Sequence, residues 1–461
     1  MWRTRYAQEV RPEDHGTVQR LAGWIEESRN LGKIAFLVVR DRSGAFQVVL
    51  PKSKVGDETF DRLTKLNRES VIAVEGKPAA TKSTTFTWEI LPEKHWVLNE
   101  AQAPLPLGVV DKVNIDIDTR LDARFMDLRR PGPQSIFKIR DTVLAAGREY
   151  LASNGFVEIH TSKIIGSSSE GGTEVFKVKY FERDAYLSQS PQLYKQAMMA
   201  TGLDRVFEIA TYFRAEKHNT PRHLNEITAF DLEMAFIETE EDVMGVIEGF
   251  FHHVWKRVVD ERRKELDLVA KEYHPEGFEP LAVPKLPFLR VPFTDAVRRL
   301  QDSGYKVPAR AGFEDEAKRG EAWAHELGGA EEKALAKLLE PDGHRFFFIT
   351  KYPLIEKPFY CMPEHGSMQD TWCRAFDLEY RGVELLSGAQ RIHQHDLLAE
   401  GLKRKDLDPK DFEGYLKAFR YGMPPHGGCG IGVERILMQM LDLANIREAV
   451  LFPRDRVRIS P

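Results

Sequence analysis

The sequence predicts a two-part α+β chain, a small all-β barrel followed by a larger unit of interleaved strands and helices. Up to about residue 105, apolar and polar side chains alternate at the two-residue period of half-buried strands. The stretch AQAPLPLGVVDKVNIDIDTR then carries prolines and no periodicity, as a linker does. Beyond it, helical spacing and runs rich in β-branched and aromatic residues alternate to the C-terminus, the pattern of a mixed fold.

In the first part, QRLAGWIEES, KIAFLVVRDRSGAFQVVL, ESVIAVEGKP and TFTWEILPEKHWVLN read as strands, with a Ser-Gly turn inside the second run. Met1 to Ser53 holds nine Lys/Arg against six Asp/Glu, so this end is basic while the whole chain, with 66 basic and 71 acidic residues, is −5. Phe36, Phe46, Arg29 and Gln47 gather around the hairpin. Barrels bind single strands by stacking bases on aromatics beside cations, although a solvated basic face explains the charge equally simply. The second part opens with SIFKIRDTVLAAGREYLASNG, a helix closing on Asn154-Gly155, and continues through FVEIH, RVFEIATYFRAE and NEITAFDLEMAFIE. Residues 262–345 are more charged and less regular and read as an insertion. The expected domains are thus a barrel over 1–105, a linker or hinge over 106–133 and a larger unit over 134–461.

With 30% charged and 42% hydrophobic residues, the chain is neither disordered nor fibrous. No stretch approaches the ~18 uninterrupted apolar residues of a membrane span, and the start is charged, so a soluble cytoplasmic protein is expected. Cys361, Cys373 and Cys429 lack the paired spacing of a metal site and the density of a disulfide scaffold.

Three clusters carry chemistry. FRAEKHNTPRHLNE crowds Arg214, Glu216, Arg222, His223 and Glu226 around a turn between two strands. Arginine suits phosphate because its planar fork donates two hydrogen bonds and stays charged, while an exposed ion-pair hairpin is the plainer alternative. FDLEYRGVELLSGAQR sets Asp377, Glu379 and Glu384 ahead of Ser387 and Arg391, hard oxygens suited to magnesium on substrate phosphates. GGCGIGVERILMQML reads as a glycine-rich turn before a helix bearing Glu434 and Arg435, by itself a weak signal.

These residues resemble a class II aminoacyl-tRNA synthetase, most closely the aspartyl-tRNA synthetases of the short archaeal and eukaryal type, over nearly the whole chain. LRRPGPQSIFKIRDTVLAAGREYLASNGFVEIHTSKI resembles the first motif of that family, FRAEKHNTPRHLNE the second and GIGVERILMQMLDLANIREAVLFPRD the third. SSSEGGTEVF resembles the loop over the amino-acid site and LSQSPQLYKQ the aspartate-recognition segment. The resemblance implies an OB-fold anticodon-binding barrel and a class II catalytic domain, an antiparallel sheet of about six strands flanked by helices.

It also implies the activity: ATP-dependent attachment of L-aspartate to tRNA(Asp) through an aspartyl-adenylate, by a homodimer with Mg2+ as cofactor. Catalysis falls to Arg214, Glu216 and Arg435, and ATP binding to these with Arg222, His223 and Glu384. Aspartate is expected at Glu170, Gln192, Lys195, Arg214, Ser387 and Arg391, and the metal at Glu384, Ser387 and Asp377. A side-chain carboxylate needs cations, and Lys195 with Arg391 would supply two. In the barrel, Phe36 would stack on an anticodon base, Arg29 and Gln47 would read the central uracil, and Glu89 would accept from cytosine at the last position. Ser162, Ile227 and Cys429 depart from the family motifs. Glu26, where discriminating relatives carry an aromatic, and Pro78 in the neighbouring loop leave open a non-discriminating enzyme that also charges tRNA(Asn) and relies on an amidotransferase. An asparaginyl-tRNA synthetase and a non-catalytic synthetase-like RNA-binding protein are the remaining alternatives.

Overall fold

The computed structural model describes residues 1–109, 115–166, 175–216 and 220–460. The chain divides into two compact units, Met1–Arg130 and Pro131–Pro461.

The first unit is built on five strands, β1 (Gln19–Asn30), β2 (Ile34–Arg40), β3 (Ala45–Pro51), β4 (Val71–Ala80) and β5 (Trp88–Asn99), closed into a barrel in the order β1-β2-β3-β5-β4. Closure follows from period-two patterning: Leu37 and Val39 of β2, Val48 and Leu50 of β3 and Ile72 and Val74 of β4 all point inward and are buried. The turn between β2 and β3 is held by Asp41, whose Oδ1 accepts from Ser43 N at 2.7 Å and Gly44 N at 3.2 Å. Two expectations change here. Pro78 lies in β4, opposite Ile90, just past a bulge at Glu75/Gly76, where a strand tolerates a residue that cannot donate. The expected linker carries two short helices, Ile117–Asp122 and Arg124–Asp127.

The second unit opens with α1 (Pro131–Ser153). Pro131 and Pro133 sit in its first turn, where a missing N–H loses no helical hydrogen bond. Gly155 takes φ +80° after it, and Phe156 N returns to Leu151 O at 3.1 Å, closing the helix at the expected place.

An eight-stranded sheet forms the body of this unit. Its strands are β6 (Val157–Glu158), β7 (Arg205–Phe213), β8 (Glu226–Ala235), β9 (Leu289–Pro292), β10 (Phe346–Thr350), β11 (Ala375–Tyr380), β12 (Val383–Arg391) and β13 (His426–Gly432), in the order β9-β10-β11-β12-β13-β8-β7-β6. The six central strands pair antiparallel, and the short edge strands β6 and β9 join in parallel. Both faces are covered, so the strands read as continuous apolar runs. Phe346 and Phe348 enter the core with α1 and α2 (Glu240–Glu261), while Phe347 and Ile349 enter the core on the opposite face. The charged span 262–345 supplies β9 and the helix α3 (Gly329–Leu339).

The glycine-rich segment corrects its own reading. GGCGIG is the central strand β13, not a turn. Its glycines make room for acidic neighbours on β8: a Cβ at Gly428 would lie 2.1 Å from Leu232 O and 2.2 Å from Glu233 Oε2. Bare backbone is what allows a buried carboxylate to stand beside this strand.

Candidate functional site

The central strands shape a cavity of about 280 Å3. Nine of the expected residues line it: Gln192, Arg214, Glu216, Arg222, His223, Glu384, Ser387, Arg391 and Arg435. They arrive from four places: Gln192 from the helix Gln192–Met198, Arg214, Glu216, Arg222 and His223 from the β7–β8 turn, Glu384, Ser387 and Arg391 from β12, and Arg435 from the helix α4 (Val433–Met440) that follows β13. Lys195 and Asp377 stand one layer behind the lining, and Glu170 lies outside the described residues.

The turn between β7 and β8 is pinned by Asn225. Its backbone carbonyl accepts from Arg214 N at 3.0 Å, and its side-chain amide donates to Arg214 O at 2.7 Å and Glu216 O at 3.3 Å. The Arg214 guanidinium lies 5.7 Å from the Tyr212 ring centre, within cation–π range. His223 is tied to Thr220 Oγ1 through Nδ1 at 2.5 Å, with Nε2 3.8 Å from Glu216 Oε2.

At the back of the cavity Lys195, Asp231, Glu233 and Arg391 form a buried network, of which Asp231 and Arg391 line the cavity. Lys195 is 2% exposed and donates to Asp231 Oδ1 at 3.0 Å and to the carbonyls of Cys429 at 2.9 Å and Leu232 at 3.3 Å, with Glu233 Oε2 at 3.4 Å. Arg391, 3% exposed, donates from Nε to Glu233 Oε1 at 3.0 Å and from Nη2 to Gly428 O at 2.8 Å. Burial opposes the charge on Glu233, but Arg391 and then Lys195 outweigh it and hold that carboxyl below its usual range. Lys195 therefore reaches the cavity through Asp231, which lines it, and through Glu233 and Arg391. Sequence reasoning expected Lys195 to meet the substrate carboxylate; the structure buries it behind the cavity lining, against Asp231 and Glu233, two alternate residues of one strand that sequence reasoning did not single out.

The carboxylates expected to hold metal are each met by a cation. Asp377 Oδ2 accepts from Lys357 at 2.8 Å, and Glu384 Oε1 accepts from Arg435 at 3.0 Å. Lys357 lines the cavity, and its ammonium sits 3.6 Å from the Tyr352 ring centre. Burial works against its charge, yet Asp377 raises its pKa overall. Deeper in, Glu379 is fully buried with neither carboxylate oxygen hydrogen-bonded, and Asp377 Oδ1 is likewise unmatched. Burial, then Glu332, Glu384 and Asp377, push Glu379 well above the usual carboxylate range. Glu332, on α3, is raised to about 7 by burial and by Glu384 and Asp377. Among the described residues no three carboxylate or histidine side chains converge as a metal site, so a divalent cation here would rest on Glu384 together with substrate oxygens. Lys357 and Glu332 carried no local signal, since each meets its partners across tens of residues of sequence.

Of the residues that depart from the motifs, Ile227 lines the cavity beside His223. Cys429 faces the core, fully buried, with burial raising its thiol to about 12. Ser162 is exposed. Glu434 clasps helix α1, with Oε1 2.8 Å from Arg140, and accepts from Thr228 N at 3.1 Å.

In the barrel, the four expected residues share its outer face. Arg29 pairs across β1–β2 with Phe36, Val38 pairs with Gln47, and Gln47 pairs in parallel with Glu89. Gln47 Nε2 donates to Glu89 Oε2 at 2.8 Å, and Thr81 donates to the same oxygen at 2.6 Å. Glu26 occupies the bulge in β1 and lies 3.4 Å from Arg40, which is bound to Glu69 at 3.0 Å. Among the described residues, no helix is long and apolar enough to cross a membrane.

Comparison with known proteins places this geometry. Residues 116–456 match the tRNA synthetases class II (D, K and N), and residues 19–98 match the OB-fold nucleic acid binding domain. The chain is 51% identical to an aspartate–tRNA(Asp) ligase of Thermococcus kodakarensis and 47% identical to an aspartate–tRNA(Asp/Asn) ligase of Methanopyrus kandleri, over 100% of each chain in both cases. Among solved structures, asparaginyl-tRNA synthetase of Pyrococcus horikoshii complexed with asparaginyl-adenylate superposes with TM-score 0.88 at 34% identity, covering 100% of both chains.

Proposed function

Because the chain belongs to the class II tRNA synthetases (D, K and N), we propose that it joins L-aspartate to tRNA(Asp) at the expense of ATP, through an aspartyl-adenylate. The observation that carries this reading is the single cavity in which Arg214, Arg222 and Arg435 meet Glu384, Ser387 and Arg391. Activation brings two anions together, the aspartate α-carboxylate and the α-phosphate of ATP, and a site that offsets their repulsion is most of the catalysis. Arg214 holds both at the reacting centre, Arg222 and Arg435 take the outer phosphates, and Glu216 accepts from the adenine amino group. The adenine lies between His223 and the Arg435 side.

The amino-acid end is set by the buried network. Arg391 meets the side-chain carboxylate of the substrate, and Lys195, held by Asp231 and Glu233, adds positive potential behind it. Gln192, Ser387 and Glu170 complete that end. Mg2+ fits Glu384, Ser387 and Asp377, where it would neutralise phosphate charge. Arg29, Phe36, Gln47 and Glu89 read the anticodon. The protein would work in the cytoplasm, and as a homodimer, the latter supported by exposed Val157 and Ile164 along the first motif.

A second reading is favoured by one observation. Glu26 is bound into the Arg40–Glu69 ion pairs where a discriminating aromatic is expected, and relatives named for both tRNAs align over the full chain. In that reading tRNA(Asn) is aspartylated too, and an amidotransferase completes asparagine. Charging of transcripts with GUC and GUU anticodons by the purified protein tests both. GUC alone establishes strict aspartylation, both establish the relaxed enzyme, and neither overturns the assignment.

A further inference from the structure

We propose, resting on the anticodon reading above, that the barrel carries a further nucleotide site, for the base that follows the anticodon on its 3′ side. The outer face of the barrel is organised in rows, because cross-strand partners and alternate residues share a face. Arg29 and Phe36 form one row. Val38, Gln47 and Glu89 form the next. Two residues further on, Ala45 of β3, paired with Arg40 of β2, begins a third, and there the face opens into a cavity of about 560 Å3 that Thr87, just before β5, also lines.

If Phe36 takes the central base and Glu89 the last, the strand polarity is fixed, and the third row is where the next nucleotide falls. The cavity has the parts to receive it. Its floor is the stacked pair Phe46–Trp88, ring centres 5.6 Å apart and inclined by 14°. Half-buried Phe86 stands on its wall, and Arg11 and His15 stand on its rim, neither with a side-chain hydrogen bond or ion pair among the described residues. The nearby Asp14 is engaged by Arg5 at 3.0 Å. The Phe86 ring beside the Arg11 guanidinium can stack a base and meet its phosphate, with little preference among bases.

The loop that presents Phe86 is wired to the residue that reads the last anticodon base. Thr81 donates to Glu89 at 2.6 Å, its hydroxyl accepts from Ser83 N at 3.1 Å, and Ser83 Oγ accepts from Thr85 N at 3.1 Å and Phe86 N at 3.3 Å. Reading one base and placing the ring for the next are thus one hydrogen-bonded chain.

The test uses the full-length protein and an anticodon stem-loop RNA bearing GUC, intact or abasic at the following position, with dissociation constants from titration. Loss of that base should weaken binding by about tenfold, Phe86→Ala should weaken the intact RNA by about as much, and the two together should cost no more than either alone. Arg11→Ala should lower the salt slope by about one. The abasic arm needs no variant, so misfolding cannot mimic it. If the abasic RNA binds as well as the intact one while Phe36→Ala still weakens binding, the extra site is overturned and the anticodon reading stands. If Phe86→Ala alters only the preference for cytosine over uracil at the last position, the cavity belongs to that base and the proposal falls. If Phe36→Ala and replacement of GUC are also without effect, the anticodon reading falls with it.

Discussion

Lys195 Nζ lies 3.0 Å from Asp231 Oδ1 and 3.4 Å from Glu233 Oε2, with all three side chains buried. One cation thereby holds together two carboxylates that alternate along β8. Removing one partner of such a group is far costlier than the worth of the pair, because charge is left buried without compensation. Lys195→Met is expected to lower stability by about 3–5 kcal/mol. It should also raise the KM for aspartate at least tenfold more than the KM for ATP. Denaturant unfolding and ATP–pyrophosphate exchange measure the two effects, and equal loss for both substrates would make the lysine purely structural.

His426 gives the pH dependence. It is fully buried, and burial depresses its pKa to about 4. The unfolded imidazole binds a proton near pH 6.5, so between about pH 4 and 6.5 the unfolded state holds more protons than the native state. Stability therefore rises with pH through that window and is lost as pH falls through it, by roughly 3 kcal/mol in full. His426→Gln should flatten this acid limb, and thermal melts across pH 4 to 7 would show an unchanged slope if the histidine is not its source.

Arg214→Lys retains charge at the reacting centre and loses the fork. Exchange kcat/KM should fall by about a hundredfold or more, because a lone ammonium cannot bridge phosphate and carboxylate in one plane. Near-normal exchange would remove Arg214 from that role.

Lys357 neutralises Asp377. With Lys357→Met the carboxylate group gains net negative charge, so the Mg2+ concentration for half-maximal exchange should drop severalfold while the maximal rate declines. Chelation with EDTA should abolish exchange in both proteins. A Mg2+ requirement unmoved by the substitution would place the metal away from Asp377.

Glu89→Gln replaces an acceptor that cytosine needs with an amide. Charging of the GUC transcript should fall about tenfold, with GUU charging unaffected, a loss in the range of one base contact. Equal charging of GUC before and after would return Glu89 to its partners Gln47 and Thr81.

What was legible in the sequence, and what was not, follows the range of each signal. The inward alternation of Leu37 and Val39 and the stop at Gly155 are local and were readable. The pairing of Gln47 with Glu89 was not, because a parallel pair has no connecting turn to announce it. The glycines of 427–432 read as a turn because glycine usually marks one, whereas the neighbours that crowd them come from folding: Ile237 and Ala389 O at Gly427, Leu232 O and Glu233 at Gly428, and Asp231 at Gly430. Arg214, Arg222 and Arg435 were found from residue type and motif, whereas Lys357 and Glu332 matter only through neighbours that folding supplies.

Arg435 and Glu384, the first assigned to phosphate and the second to metal, are bound to each other at 3.0 Å and each is more than a third exposed. On the assignment proposed above, a nucleotide arriving alone would detach the arginine and a cation arriving alone would detach the carboxylate, each breaking the same contact. The nucleotide–metal complex breaks it once and re-satisfies both sides. The pair thus makes the two ligands positively coupled, and since an exposed ion pair contributes about 0–1 kcal/mol, the enhancement is at most about fivefold.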